Sequence, residues 1–250
     1  MISSVTARPM TLPVVKLLGA ALMLTWDRRY SLLRALWLPL ALGIALSVAE
    51  KRWGPNSPQD SGAVFWIAPV FVLTVMLAVR SYRVFLRGSD PEQQLLPLSW
   101  SIRETRFLLA MMAVSFSFAL VAFLFGGLLG LLWPDAHRYA GEPFAVLIFL
   151  PAAYLASRLL LAFPALAVED GESTQKALQR AWEVSRHNGM RILFLCVVAP
   201  AFIAWLLALL GSSTLPGIHV ISTVLVWLLL PVELSIVAMV YATLNKAVTT

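Results

Sequence analysis

Charge is what this sequence has least of. Of its 250 residues, 13% are Asp, Glu, Lys or Arg, while 60% are hydrophobic. Soluble domains carry about 25% charged and about 45–50% apolar residues. A soluble fold of this length could not cover its surface with so few charges, so that class is excluded. Cysteine is nearly missing: Cys196 stands alone in an apolar run. One cysteine rules out an intrachain disulfide and a multi-cysteine zinc site, and leaves the redox compartment open. The histidines, His137, His187 and His219, are scattered without ligand spacing. No phosphate-binding glycine loop, H-E-x-x-H, nucleophile elbow or dinucleotide fingerprint occurs. The sequence therefore assigns no catalytic, cofactor or metal residue, and a non-enzymatic protein is expected.

What remains is hydrophobic, with a mean hydropathy of +0.81. A helix crossing a bilayer needs about 20 apolar residues. Stretches of that kind lie at about Ser31–Val48, Ala63–Val79, Phe107–Trp133 and Phe144–Val168. A fifth and sixth come from Ile192–Val232, which has no Asp, Glu, Lys or Arg and is too long for one crossing. Gly211-Ser212-Ser213-Thr214 and Pro216-Gly217 divide it into Ile192–Leu210 and Ile218–Leu244. The expected fold is all-α: a polytopic membrane protein of one domain, a six-span helical bundle. Turns are expected at Trp53–Pro58 and in the polar segment Pro134–Pro143. Three units, roughly Leu12–Gly88, Pro91–Asp170 and Gly171–Thr249, each place a basic segment before an outgoing and a returning span.

Basic residues set the orientation, because Lys and Arg are retained in the cytoplasm. Arg8, Lys16, Arg28, Arg29 and Arg34 precede or begin the first span. Arg80, Arg83, Arg87, Arg103 and Arg106 lie between the second and third. Arg158, Lys176, Arg180, Arg186 and Arg191 lie around the connection from the fourth to the fifth, and Lys246 follows the sixth. Only Lys51, Arg52 and Arg138 fall on the other side. The split of 16 to 3 predicts both termini in the cytoplasm. Trp26, Trp100 and Trp182 at one boundary, and Trp53 and Trp133 at the other, match an aromatic belt. A net charge of +6 fits contact with anionic lipid headgroups rather than nucleic acid.

Two amphipathic helices are expected at the cytoplasmic interface, at about 12–29 and 173–188. The first holds the apolar stretch Leu17–Trp26, too closely followed by Asp27, Arg28 and Arg29 to be a span. A signal-peptide core is the alternative there, but no small-residue cleavage site follows it. The second sets Lys176, Arg180, Glu183 and His187 on one face, and Ala177, Leu178, Ala181, Trp182 and Val184 on the other. Ser173 is placed as its N-cap. Lys176, Arg180, Trp182 and Arg186 form a candidate face toward lipid or a protein partner.

Inside the spans, Arg158 and Glu233 need explaining. Both are expected in the inner half of the bilayer, where an unpaired ionisable group costs at least about 3 kcal/mol. They are a candidate polar pair, the alternative being that each reaches separately to the headgroups. Arg34, Arg80 and Arg83 are close enough to span ends to extend to the interface. Gly126 and Gly130 form G-x-x-x-G, expected to serve packing within the chain. Pro69, Pro151, Pro164, Pro200 and Pro231 fall inside spans and are expected to kink them.

Two stretches carry a family likeness. The first runs from Ser157-Arg158-Leu159 through Phe163-Pro164 to Glu169-Asp170-Gly171-Glu172. It continues as Ala177-Leu178-Gln179-Arg180-Ala181-Trp182-Glu183-Val184-Ser185-Arg186 to Arg191-Ile192-Leu193. The second is Tyr82-Arg83-Val84-Phe85-Leu86-Arg87-Gly88 with Leu96-Pro97-Leu98-Ser99-Trp100. They resemble the membrane domain attached to some glycerophosphodiester phosphodiesterases, and the related YciC-like bacterial inner-membrane proteins of unknown function. The resemblance implies a six-span inner-membrane bundle and no activity, since a separate soluble domain does the hydrolysis in the fused enzymes.

The leading functional expectation is a scaffold, regulator or lipid-organising protein of the bacterial inner membrane. Its partners would be the anionic bilayer and a membrane or cytoplasmic protein. The other expectation is a transporter or channel for a lipid or small solute, with a polar site near Arg158 and Glu233. A cavity joining that site to one aqueous side favours transport, whereas a solid core favours scaffolding. Orientation is tested by fusing a reporter enzyme active only outside the cytoplasm after Asp90. It should be silent there, and activity at that point would contradict the assignment.

Overall fold

The computed structural model describes residues 12–53, 63–88, 100–132, 136–169, 173–211 and 218–249. Among these, every regular element is helical. In chain order they are α1 (Val14–Asp27), α2 (Arg29–Trp53), α3 (Ala63–Arg87), α4 (Ile102–Leu132) and α5 (Ala136–Leu159). There follow α6 (Ala162–Val168), α7 (Thr174–Val184), α8 (Gly189–Leu193), a π-helical turn at Phe194–Val198, α9 (Ala199–Gly211) and α10 (Ile218–Thr249).

Six segments are long and apolar enough to cross a membrane: Arg29–Glu50, Phe65–Arg87, Ile102–Leu132, Ile148–Val168, Gly189–Gly211 and Val220–Lys246. The expected polytopic bundle is what the chain forms. In hydrocarbon every backbone polar group needs an internal partner, and helices supply one for each. The lipid-facing surface is correspondingly apolar, with Phe116, Phe123 and Leu131 exposed on α4 and Phe202, Trp205 and Leu209 on α9.

Side-chain contacts fix which helix ends meet. Phe118 of α4 and Phe149 of α5 stack with ring centroids 6.0 Å apart. Trp227 of α10 donates to Ser47 near the end of α2, and Arg180 of α7 reaches Asn245 near the end of α10. One end of the bundle therefore gathers α1, α7 and the close of α3 and α10, with most of the arginines. It is called the basic end. The far end holds Glu50, Gly211 and the start of α10.

Span two continues past Val79 through Arg87, eight residues beyond the sequence expectation. It closes at Gly88, where φ is +84° and the amide donates back to the Val84 carbonyl at 3.2 Å. Glycine is the residue for that left-handed cap. The extension buries Arg80 and Arg83 in protein instead of letting them reach headgroups. Arg34, by contrast, is exposed, as expected for a snorkelling side chain.

Span four is not one continuous helix. It turns at Leu160–Leu161 and resumes as α6, whose residues Ala162 to Ala167 are all buried. A helix apolar on every side belongs inside protein. Phe163 anchors it in a row of rings, 4.7 Å from Phe107 on α4, which in turn lies 6.2 Å from Tyr82 on α3. Within 134–143, expected as a turn, helix α5 already begins at Ala136. The turns at 54–58 and 212–217 lie outside the described residues, as does Trp133.

The proline expectation is met most visibly before Pro200. Its missing N–H leaves the Cys196 carbonyl without an i+4 donor, and its ring crowds that carbonyl. The chain widens to π-helical hydrogen bonding at Phe194–Val198 just ahead of it. Pro69 and Pro231 lie inside α3 and α10, and Pro39 inside α2 is a further interruption. Of the G-x-x-x-G pair, Gly126 faces Ile148 of α5, within the chain, and Gly130 faces open space.

Of the two amphipathic helices, α7 follows the expected pattern. Ser173 caps it by accepting from the Lys176 amide, and Ala177 and Ala181 are buried. α1 differs. It buries Leu17 and Ala21, but its outer side exposes Val15, Leu22, Met23 and Trp26. Ser235 of α10 donates to the Ala21 carbonyl at 3.1 Å, so α1 docks on the bundle rather than presenting a polar face. Arg29, just beyond it, stacks 4.6 Å from the rings of both Trp26 and Tyr30.

Candidate functional site

Polar groups in the described spans collect in two places, the basic end and a crevice toward the far end. At the basic end the arginines are used as ties. Arg158, the second-last residue of α5, is 6% exposed. Its Nε donates to Ser185 Oγ at 2.8 Å and its Nη2 to the Trp182 carbonyl at 2.6 Å. The guanidinium lies flat over the Trp182 ring, 3.5 Å from the centroid. Both acceptors sit at the C-terminus of α7, where unsatisfied carbonyls and the helix dipole favour a cation. Arg158 is thus a cross-chain cap that pins α7 to the end of α5.

Arg180 makes a second tie. Its Nη1 lies 3.0 and 2.9 Å from the two Glu169 oxygens, and its Nη2 donates to Asn245 Oδ1 at 3.0 Å. The Tyr241 hydroxyl also donates to Glu169, at 2.7 Å. Four groups from α7, α10 and the residue after α6 therefore close one network. Arg87 donates to the Val168 carbonyl, which joins the close of α3 to the same corner. On α4, Glu104 is buried in the first turn, accepts from the Ser101 amide at 2.9 Å and from its hydroxyl, and faces Arg80 electrostatically. Arg80 in turn donates to the Ala35 carbonyl of α2 at 3.4 Å. Its burial beside Glu104 was missed from sequence because both flank the expected spans; their spacing carries no sign of contact.

The face expected at Lys176, Arg180, Trp182 and Arg186 therefore divides. Lys176 and Arg186 are exposed, and Trp182 is part-exposed with one ring face spent on Arg158. Arg180 is engaged inside the protein. The remaining outward surface of α7 also carries Glu183 and His187.

Arg158 and Glu233 are not brought together. Arg158 is committed to α7 at the basic end. Glu233 lies on α10, thirteen residues from either limit of the span Val220–Lys246. At about 1.5 Å per residue that is roughly 20 Å from each, near the middle rather than in the inner half. No described residue makes a hydrogen bond or ion pair with it.

Instead, Glu233 lies on the wall of a crevice. α9 packs on α10 and stands off from α2 and α3, leaving a gap between them. Its deeper section has a volume of about 390 Å³ and runs from Glu233 past Thr74, Val70, Leu230 and Trp227 to Ser47. An adjoining section of about 550 Å³ continues from Ser47 and Trp227 to Glu50, Gly211, Ser222 and Thr223 at the far end. Five residues line both sections, so the two adjoin. Trp227 is the crevice's landmark: Nε1 donates to Ser47 Oγ at 3.1 Å, and the ring packs on Gly43 of α2. An added methyl at Gly43 would come within 2.6 Å of the indole. On α10, Glu233 is the lining residue nearest the basic end, and Leu36, Leu77, Tyr82, Leu166 and Val240 are buried in the core. Apolar walls with a few placed polar groups are the usual make-up of a small-molecule site.

Comparison with known proteins returns no match: no family model, no curated protein and no solved structure is similar to the chain.

The two sets of charges predict opposite mutant behaviour. Arg180→Ala and Glu169→Ala should be coupled by about 0.5–1 kcal/mol in a double-mutant cycle of unfolding in mixed micelles, since both side chains are part-exposed. Exchanging the charges, Arg158→Glu with Glu233→Arg, should give no rescue over the single variants. Rescue by that exchange would show the two residues to be paired.

Proposed function

We propose that this protein is a non-enzymatic carrier of the bacterial inner membrane that binds a lipid or small apolar solute in the crevice ending at Glu233. The observation that carries the reading is a mid-span glutamate, without a partner among the described residues, on the wall of a gap lined by α2, α3, α9 and α10. Intramembrane ionisable residues are costly and mark binding sites and pathways. Ser47 and Thr74 add hydroxyls to an otherwise apolar lining. The prolines in α2, α3 and α10, and the π-helical turn before α9, are interruptions at which the gap-forming helices can bend.

The reading includes a topology: the basic end in the cytoplasm, with both termini, as the 16-to-3 distribution of Lys and Arg supports. The crevice then opens toward the opposite side. It also includes kinship with the YciC-like group, which rests on the two stretches quoted above. A second reading, scaffolding, keeps one supporting observation: the exposed, mixed-charge surface formed by Lys176 and Glu183 of α7 with Arg186 and His187 just after it.

Gentle purification followed by native mass spectrometry tests the carrier. The intact protein should retain at least one apolar small molecule. Ala204→Trp, which fills the crevice, should release it while leaving the fold intact. Equal retention by the filled variant would sink the proposal.

A further inference from the structure

The lining of the crevice has one sign of charge. Among the described residues that line it, the ionisable side chains are Glu50 and Glu233. The arginines that elsewhere accompany the carboxylates Glu104 and Glu169 are committed to the basic end. Neither Glu50 nor Glu233 is bonded to a described residue. Glu50 is also badly placed for an anion, three residues from the C-terminus of α2, where the helix dipole favours a positive charge. Between the two carboxylates stands an indole ring. Ser222 beside the mouth and Glu233 are eleven residues apart on α10, or roughly 16 Å. A positively charged molecule meets a carboxylate at the mouth, an aromatic side chain midway and a second carboxylate deepest in the site. An anion meets no cationic partner among the described lining residues.

We infer that the crevice takes a lipophilic organic cation, its apolar body between α9 and α10 on one side and α2 and α3 on the other, its charge at Glu233. Specificity is often built by rejecting the wrong partner, and the two carboxylates reject anionic lipid and anionic solutes alike. The Trp227 ring adds attraction for a cation without discriminating its shape. Glu50 gathers cations at the far end, and Glu233 holds them. The inference rests on the crevice reading above and adds the charge of the occupant.

The test uses two ions of similar size and opposite charge, tetraphenylphosphonium and tetraphenylborate. Binding is measured by equilibrium dialysis against the full chain in zwitterionic nanodiscs, with empty discs subtracted. Tetraphenylphosphonium should bind saturably at one per chain, and tetraphenylborate should not exceed the empty discs. Glu233→Gln should weaken the cation at least tenfold, Glu50→Gln by less, and Glu233→Asp should keep most of it. Each variant is first shown to run as wild type on size exclusion. Equal binding of both ions, abolished in Ala204→Trp, would overturn the cation preference and leave the carrier reading standing. Binding of neither ion would overturn the inference. If the wild-type protein also retains no apolar molecule on purification, the carrier reading falls with it. Cation binding that survives in Glu233→Gln would overturn the role given to Glu233.

Discussion

A polar group in hydrocarbon must find its partner inside the protein, and almost everything in this structure answers to that rule. It makes the spans helical, since helices satisfy their own backbones. It gathers the arginines at one end and gives each described partner set there a purpose. Arg158 satisfies the exposed carbonyl at the end of α7. Arg180 and Glu169 neutralise each other and take in Asn245 and Tyr241. These ties hold a short helix, α7, and the buried α6 against the spans. Glu233 departs from the rule, and the departure coincides with the gap left by α9.

Much of the fold was legible in the sequence because bilayer thickness imposes a length on each apolar run. The six spans, and the division of the longest run near Gly211–Gly217, follow from counting. The Ser173 cap was also legible, since a serine ahead of an apolar-periodic segment has a local cause. The failures are those of long-range contact. Arg80 and Arg83 look like interface residues when span two is ended at Val79; only the packing of α3 against α2 and α4 shows them to be buried. The break at Leu160–Leu161 has no glycine at the turn itself, and α6 is apolar enough to pass for the end of a span. Arg158 and Glu233 were paired on opposite charge and similar assumed depth. In the structure Arg158 bonds instead to Ser185 and Trp182, 27 and 24 residues along the chain from it.

The crevice itself was invisible in the sequence. Its walls are ordinary spanning residues, and Gly43 signals nothing until the Trp227 ring is seen against it. The site lies where α9, which follows the π-helical turn before Pro200, packs chiefly on α10. A polar residue tolerated at mid-span and a gap beside it are thus two consequences of one departure from close packing.

The central claim is that this gap is open from the far end to the level of Glu233 and closed beyond it. Thiol reactivity reads that directly, because Cys196 is the chain's one cysteine and Cys196→Ser gives a clean background. Cysteines placed singly at Ala208, Ser47 and Glu233 should react in nanodiscs with a small methanethiosulfonate, in that order of rate, while cysteines at Leu77 and Val240 should stay protected. Protection at all five positions, or reaction at Leu77 and Val240 as fast as at Ser47, would contradict the account.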